Sequence, residues 1–360
     1  MKVFVERLDN SKNWDEELSY FQGGLFMTSA WLSAITNNDI NPLYLRFILA
    51  DKPVAIAGGV EVLIGKGPAK QLLFYSGIAS SSNDPFLIKK CKYELYIYAR
   101  DNGYQRVVMK SYDNQLYVPA EINKFKKLER MEYIFRLDSY KESVIDGFSR
   151  SLRRKARKAK RDGTVLKKSY SVEMVEKLFE FLDETYNVRQ LKGYGAYACL
   201  FLPFFGRGEI EKLVQARHAA LYYAERQNEI LSMSLVFSYQ KKAYGLLMGT
   251  SRNGYKAGVP SFLNFELASI LKEQGYSYLN IGGVQRDVKH QGLKDFKDQL
   301  GTDIVGSGEE VTNFLNPPLS YFNPLLNLKR FLGDLKVLPW RFKKSIIDII
   351  DLILNKRDQI

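Results

Sequence analysis

The sequence predicts a mixed α/β (α+β) fold. It reads as two tandem copies of one subdomain, each a mixed, mostly antiparallel sheet flanked by helices, followed by a helical tail. Three observations predict it. The 360 residues suffice for two domains of ordinary size. Short apolar runs broken by Gly, Asn and Asp turns alternate with amphipathic stretches. The same succession of strands and helices is met in residues 1–140 and again, more clearly, in residues 141–310, leaving residues 311–360 as the tail.

The hydrophobic fraction of 46%, with 23 Tyr and 22 Phe, describes a folded chain with a large core and excludes a disordered one. Cys91 and Cys199 stand far apart in no CxxC or Cys/His cluster. A disulfide framework and a structural zinc site are therefore not expected, a reducing compartment fits, and each cysteine reads as a small buried apolar side chain. Met1–Arg7 reads as a short strand with no apolar run after its charges, unlike a signal peptide. No stretch reaches the ~18 uncharged apolar residues of a membrane span. The expectation is a cytoplasmic protein, in peripheral contact at most with the inner face of the membrane.

In the first copy, Ser29 is placed to cap a helix carrying Trp31, Leu32 and Ile35. Strands follow over Leu43–Ala50 and Pro53–Leu63, turning at Asp51-Lys52, and then over Leu72–Tyr75. Lys89–Asn102 reads as a helix stopped by Gly103, and Arg106–Lys110 as a returning strand. In the second copy Met174–Tyr186 is helical. Ala219–Glu225, Ile230–Tyr239 and Ala243–Met248 then form a meander through turns at Gln227-Asn228 and Gln240-Lys241. Pro260 opens a helix that Gly275 closes. Tyr276–Ile281 is a strand, Leu293–Leu300 a short helix and Thr302–Val305 a closing strand.

The net charge of +13 is concentrated. Arg150–Lys168 holds ten Lys/Arg against one acid, Asp162, and so supplies +9 of it. Phe148, Leu152, Ala156 and Ala159 give this helix a narrow apolar stripe, and nearly everything else on it is cationic. Positive charge in a first helical turn opposes the helix dipole at roughly 0.3–1 kcal/mol per site, and a solvated face usually mixes in Glu. Arg153, Arg154 and Arg157 therefore read as a phosphate-binding set. The partner is tRNA, a nucleotide- or lipid-linked precursor, or an anionic membrane.

The order meander, glycine loop, helix, strand, helix, strand resembles the GNAT superfamily of acyltransferases. The motifs are closest to its Fem-type, peptidoglycan bridge-forming aminoacyltransferases. Gly258-Val259-Pro260, the segment from Gly275 to Gly283, and Gly292-Leu293-Lys294-Asp295-Phe296-Lys297-Asp298-Gln299-Leu300-Gly301 look like the G-Y-x-x-Y-D-F-G-G and G-L-x-x-F-K-x-x-F-G patterns of that group. Arg153–Gly163 resembles its R-R-x-I-R-K-A-x-K-x-G helix. Two departures stand out. Asn280 occupies the position of the family's Asp, and no coiled-coil arm interrupts the second copy, as in the arm-less branch.

The resemblance implies direct attack of an amine on an ester or thioester carbonyl, in a gap between the strands at Tyr244–Met248 and Tyr276–Ile281. Unpaired N–H groups there would meet the oxyanion. Gly245, Gly249, Gly282 and Gly283 are the candidates for close backbone approach. Lys297 would lie beside the reacting carbonyl and steady its negative charge, next to Asn280 at the strand end. His290, in the preceding loop, is placed to relay a proton. Asp295, Glu266 and Glu229 are weaker bases, and water can take the amine proton.

The stretch Ser251–Gly258 does not match the phosphate loop of acetyl-CoA enzymes. Tyr255, Lys256 and the helix N-terminus after Gly258 remain as an anion site. The expected donor is an aminoacyl-tRNA or acyl-CoA as co-substrate, with no permanently bound cofactor and no metal. The expected product is an acylated amine on a peptidoglycan or polysaccharide precursor. The alternatives are an acyl-CoA-dependent N-acetyltransferase and a catalytically inactive scaffold that binds phosphate or membrane. After Asn316-Pro317-Pro318, Leu319–Leu332 and Pro339–Asn355 read as two helices. Trp340, Arg341, Lys343 and Lys344 make the second suited to docking on the core or on anionic lipid.

Overall fold

The structure, a computed structural model, describes residues 2–64, 69–82, 84–118, 122–140, 143–191, 202–284, 291–325 and 327. His290, Cys199 and the second tail helix lie outside the described residues. The chain separates into two compact units. Unit 1 is Met1–Glu129 with Gly308–Ile360, and unit 2 is Arg130–Ser307.

In unit 1 the sheet order is β1 (Phe4–Leu8), β2 (Ile40–Leu49), β3 (Lys52–Leu63), β4 (Lys70–Phe74), β5 (Arg106–Met109) and the end of β12 (Asp303–Thr312). All neighbours are antiparallel except β4 and β5, which need the crossover that α3 (Pro85–Asp101) supplies. The β2–β3 turn falls on Ala50 and Asp51, at φ 50° and 62°, one residue earlier than the spacing suggests. The cap of α2 (Ser29–Ala34) is Thr28, whose Oγ1 accepts from Trp31 N at 3.2 Å. Ser29 instead donates its own N–H to Asp15 at 2.9 Å, which holds α2 against α1 (Trp14–Tyr20).

The core beneath this sheet includes Leu43, Phe47, Leu72, Phe74, Ile88, Leu95 and Val107. Cys91 belongs to it, and burial pushes its thiol up to about 12, far from thiolate chemistry. Lys92 and Glu310 form a buried ion pair, with Nζ 2.7 and 2.9 Å from the carboxylate oxygens and 3.0 Å from Val118 O. The parallel pair of unit 1 stays closed along its length. Registers run from Gln71↔Arg106 to Phe74↔Met109 and continue as Lys110 N→Phe74 O, 2.7 Å, and Tyr112 N→Tyr75 O, 2.8 Å.

In unit 2 the order is β6 (Phe125–Arg136), β11 (Tyr278–Val284), β10 (Lys242–Thr250), β9 (Glu229–Tyr239), β8 (Ala219–Arg226) and β7 (Val165–Ser169). The two meander turns fall where the sequence places them, with Gln227, Asn228, Gln240 and Lys241 all at positive φ. The helices are α4 (Arg150–Arg161), α5 (Val172–Leu191), α6 (Arg207–Gln215), α7 (Arg252–Ala257), α8 (Val259–Glu273) and α9 (Gln291–Asp298). Phe148, Leu152, Ala156 and Ala159 are all buried, so the apolar stripe of α4 faces the core as its spacing requires. The strands β6 and β7 and the helix α6 are elements that the sequence reading does not contain, and two further segments change character. The stretch read as a loop before Gly258 coils into α7, capped by Ser251, whose Oγ accepts from Gly254 N at 3.0 Å. The strand before α9 runs on through both glycines: a bulge takes up Ile281 and Gly282, and Gly283 pairs again with Glu132.

The Lys92–Glu310 pair yields a stability prediction. Lys92→Met should lower the unfolding free energy by about 3–5 kcal/mol, because it strands a buried carboxylate. The double variant Lys92→Met/Glu310→Leu should recover most of that loss in urea titrations.

Candidate active site

The strands β10 and β11 run parallel and pair at Lys242↔Tyr278, Ala243↔Leu279 and Tyr244↔Asn280, and there the ladder stops. Beyond it β10 continues against β9 and β11 against β6. Both strands bulge at the parting point, between Gly245 and Leu247 on one side and between Asn280 and Gly283 on the other. Burial changes at the same place. Ala243, Tyr244, Leu279 and Asn280 are buried, whereas Gly245, Leu246, Ile281, Gly282 and Gly283 are reached by solvent. The result is a fork between the two strands that solvent reaches, with backbone polar groups along both prongs.

Those groups need partners. On the β11 prong a side chain provides them. Lys297, on α9, is 8% exposed and places Nζ 2.6 Å from Ile281 O, 3.1 Å from Gly282 O and 3.4 Å from Gly283 O. An ammonium has three hydrogens, so three carbonyls engage all of them. Its charge also lies 5.5 Å from the centre of the Tyr133 ring. Burial pushes the Lys297 ammonium down to about 7, and the charge of Glu132 works in the opposite direction.

Around this lysine lies a polar cluster on β6 and β11. Asn280 donates through Nδ2 to Glu132 Oε2 at 2.9 Å and to Tyr278 Oη at 3.1 Å, while its Oδ1 accepts from Gly282 N at 2.7 Å. Glu132 is 2% exposed and also accepts from Arg130 at 2.8 Å. Tyr133 donates its hydroxyl to Asp298 at 2.9 Å; burial, then that carboxylate, raises the phenol to about 12. Glu132 and Tyr133 were not legible as site residues. Within Lys126-Lys127-Leu128-Glu129-Arg130-Met131-Glu132 the carboxylates look like parts of a solvated charge run.

The four candidate glycines serve different ends. Gly245 stands in the crotch of the fork, where a Cβ would make ordinary contacts of 3.7 Å with Asn280 O and 4.0 Å with Ile281 Cγ2. Gly249 lies under α5, where a Cβ would come within 2.7 Å of Phe181 Cβ and 2.9 Å of its carbonyl carbon. Its small size serves that packing. Gly282 has φ +78° and its N–H is taken by Asn280, while Gly283 leaves room for Met131 O, which would stand 2.7 Å from a Cβ at that position.

The basic helix α4 is fastened beside this site. Ser149 caps it, and Ser149 N donates to Gln299 O at 2.8 Å, just past α9. Arg154 and Arg157 are exposed and Arg153 is partly so. Among the described residues, the ion pair made from α4 itself is Lys160–Glu266, 2.8 Å, to α8. That pair accounts for Glu266, while Glu229 accepts from Asn253 at 3.0 Å and Asp295 is exposed. Tyr255 and Lys256 are exposed on α7. Gly258, φ +72°, joins α7 to α8 beneath the Lys155 stem, with 2.9 Å between its Cβ position and Lys155 Cβ. The first turn of α8 is buried there, with Val259 and Phe262 at 0% and 1% exposure, so this helix start is covered. Among the described residues no helix is long and apolar enough to cross a membrane.

Comparisons with known proteins agree with this geometry. The profile of the acetyltransferase (GNAT) domain matches residues 147–298, which contain both prongs, α4 and α9. Among curated proteins no sequence relative matches. In fold the chain is similar to FemX, at 14% identity and a TM-score of 0.65, over 90% of this chain and 99% of that one. It is also similar to L-PGS from Bacillus licheniformis, at 20% identity and a TM-score of 0.51, over 87% and 96%. The C-terminal domain of a putative lysylphosphatidylglycerol synthetase from Agrobacterium fabrum gives 14% and 0.51, over 87% and 96%. The chain thus carries a match to the acetyltransferase (GNAT) domain over residues 147–298, which hold the open fork of unit 2, and it shares its overall fold with FemX.

Proposed function

We propose that the protein transfers an aminoacyl or acyl group onto an amine of a cell-envelope precursor, peptidoglycan or polysaccharide, with the β10/β11 fork as the acyl site. One observation carries this reading. The parallel pair of unit 2 parts at Tyr244↔Asn280, whereas the corresponding pair of unit 1 remains closed through Tyr112. An acyl chain laid between the prongs brings its carbonyl to the bulge of β10 at Gly245–Leu247, where main-chain N–H groups can receive the developing oxyanion. The amine attacks and a C–N bond forms, the ester or thioester bond breaks, and the donor leaves as its free hydroxyl or thiol, taking up through water the proton that the amine loses. Lys297 acts through the strand it grips, since its donors are already engaged. Arg153, Arg154 and Arg157 receive the phosphates of the donor or acceptor.

The fold it shares with FemX, and with proteins named for lysylphosphatidylglycerol synthesis, supports an aminoacyl-tRNA donor and a lipid-linked or other phosphate-bearing acceptor. The second reading is an acyl-CoA-dependent N-acetyltransferase, supported by the description of the matching domain. The helix α7 weighs against it, because it fills the stretch where a phosphate-wrapping loop would run. Separate incubation with charged tRNA, acetyl-CoA and a long-chain acyl-CoA, following deacylation of each, decides between them. Deacylation of none, with amine acceptors present, overturns the transferase reading and leaves a phosphate-binding scaffold.

Four outcomes are expected. Reversing Arg153, Arg154 and Arg157 to Glu should weaken the phosphate-bearing substrate by about tenfold or more and flatten its salt dependence. Gly249→Ala should lower the melting temperature, at a cost of about 1–3 kcal/mol for overpacking against α5. Gly245→Ala should fold normally and lose turnover, because its methyl narrows the crotch; normal turnover removes that residue from the acyl site. Lys297 ties stability to pH. Between about 7 and the ordinary lysine range the unfolded chain keeps a proton that the folded chain has released. Unfolding free energy should therefore rise with pH in that window, relative to Lys297→Met, by up to about 1.4 kcal/mol per unit, and run parallel to it below about 7.

A further inference from the structure

We infer that Glu132 and Asn280 are positioning residues for the acyl site: the carboxylate on β6 and the amide on β11 together hold the Lys297 ammonium in its seat, and so fix the bulged strand that walls the fork. The inference rests on the reading of the fork as the acyl site. Its chemistry is local. An ammonium buried under carbonyl dipoles alone lacks a compensating charge, and burial of an uncompensated ion is costly. Glu132 is a carboxylate whose charge acts on Lys297. That carboxylate is itself 2% exposed and is held on two sides, by Arg130 at 2.8 Å and by Asn280 at 2.9 Å.

Asn280 makes the link mechanical. One end of its amide donates to Glu132, and the other accepts from Gly282 N at 2.7 Å, inside the bulge whose carbonyls Lys297 collects. The side chain thus couples the position of the charge to the shape of the strand. A carboxylate in place of this amide would set two buried carboxylates about 2.9 Å apart, so one would have to take up a proton. The amide suits this position because the carboxylate stands across the ladder on β6. Among the described residues, the other charged or titratable groups of this cluster are Arg130 and Tyr133 on β6, Tyr278 on β11 and, on the lysine's own helix, Lys294, Asp295 and Asp298. Lys294 and Asp298 pair with each other at 2.6 Å.

Exchanging the two functional groups tests this. In Glu132→Gln/Asn280→Asp each hydrogen bond has a counterpart. The amide now on β6 accepts from Arg130 and donates to the carboxylate now on β11, which still accepts from Gly282 N. One negative charge stays in the cluster. The titration of Lys297 is read from the 13Cε signal of ε-13C-lysine-labelled protein, assigned by its loss in Lys297→Arg, and thermal melts report folding. Glu132→Gln alone should move the Lys297 midpoint down by about one pH unit or more. Asn280→Asp alone should show a carboxyl proton taken up near neutral pH. The exchanged double variant should restore the midpoint to within about 0.5 unit.

Turnover with whichever donor is deacylated should follow the same pattern, falling about tenfold in kcat with little change in KM for each single variant and recovering in the double. An unmoved Lys297 midpoint in Glu132→Gln overturns the inference. So does a double variant that misfolds or titrates like a single one. The NMR titration needs no substrate, so it stands even where the transferase assay finds no donor.

Discussion

Wherever two paired strands part, the main chain along both inner edges loses its hydrogen-bonding partners, and in a protein interior that loss has to be made good. The fork of unit 2 is built around this constraint. Its β11 prong is satisfied by one lysine reaching from α9 to three successive carbonyls, and its β10 prong keeps polar groups facing the opening. Unit 1 shows the other solution. There β4 and β5 stay zipped, and Lys110 and Tyr112 extend the ladder, so this strand pair forms no fork. A shared sheet pattern therefore yields one closed and one open copy. The difference lies in a few residues at the end of a single strand pair.

The geometry also separates two roles that a lysine in this motif can play. An exposed Nζ beside a reacting carbonyl would steady its charge directly. Here Nζ is buried and bonds the carbonyls of Ile281, Gly282 and Gly283. Gly282 and Gly283 follow from the same arrangement. One turns the chain at φ +78° and the other lets Met131 O come close, and together they let three carbonyls converge on one point. The basic surface of α4 lies on a helix packed against α8 and tied at Ser149 to the end of α9. Substrate phosphates held there would be a fixed distance from the fork.

Much of this was legible in the residues, and the reasons for the remainder are physical. Turns at Gln227-Asn228 and Gln240-Lys241 declare themselves through side chains that tolerate positive φ. The stripe Phe148, Leu152, Ala156 and Ala159 announces a helix with one buried face, and the parting of the strands near Gly245 and Asn280 follows from the motif order. The strand β6 was not legible, because its first half is Lys- and Glu-rich and its apolar half, Met131–Phe135, is short. Glu132 went unrecognised with it, since nothing local distinguishes a buried carboxylate from a solvated one. Gly249 and Gly245 look alike in sequence, and only the approach of α5 to one of them tells them apart. The register of bulges and the short α7 likewise depend on packing from elsewhere in unit 2.

The wiring of the chain bears on its biosynthesis. Unit 1 is discontinuous: its strand β5 is paired by Glu310 and Val311, and Lys92 in its core waits for Glu310, a residue 218 positions further on. A ribosome making this protein releases all of unit 2 before Glu310 and Val311 emerge. The first 129 residues therefore wait through the synthesis of unit 2 with a buried-to-be lysine and an unpaired strand edge open to water or to a chaperone, while the inserted unit, continuous in sequence, can fold first.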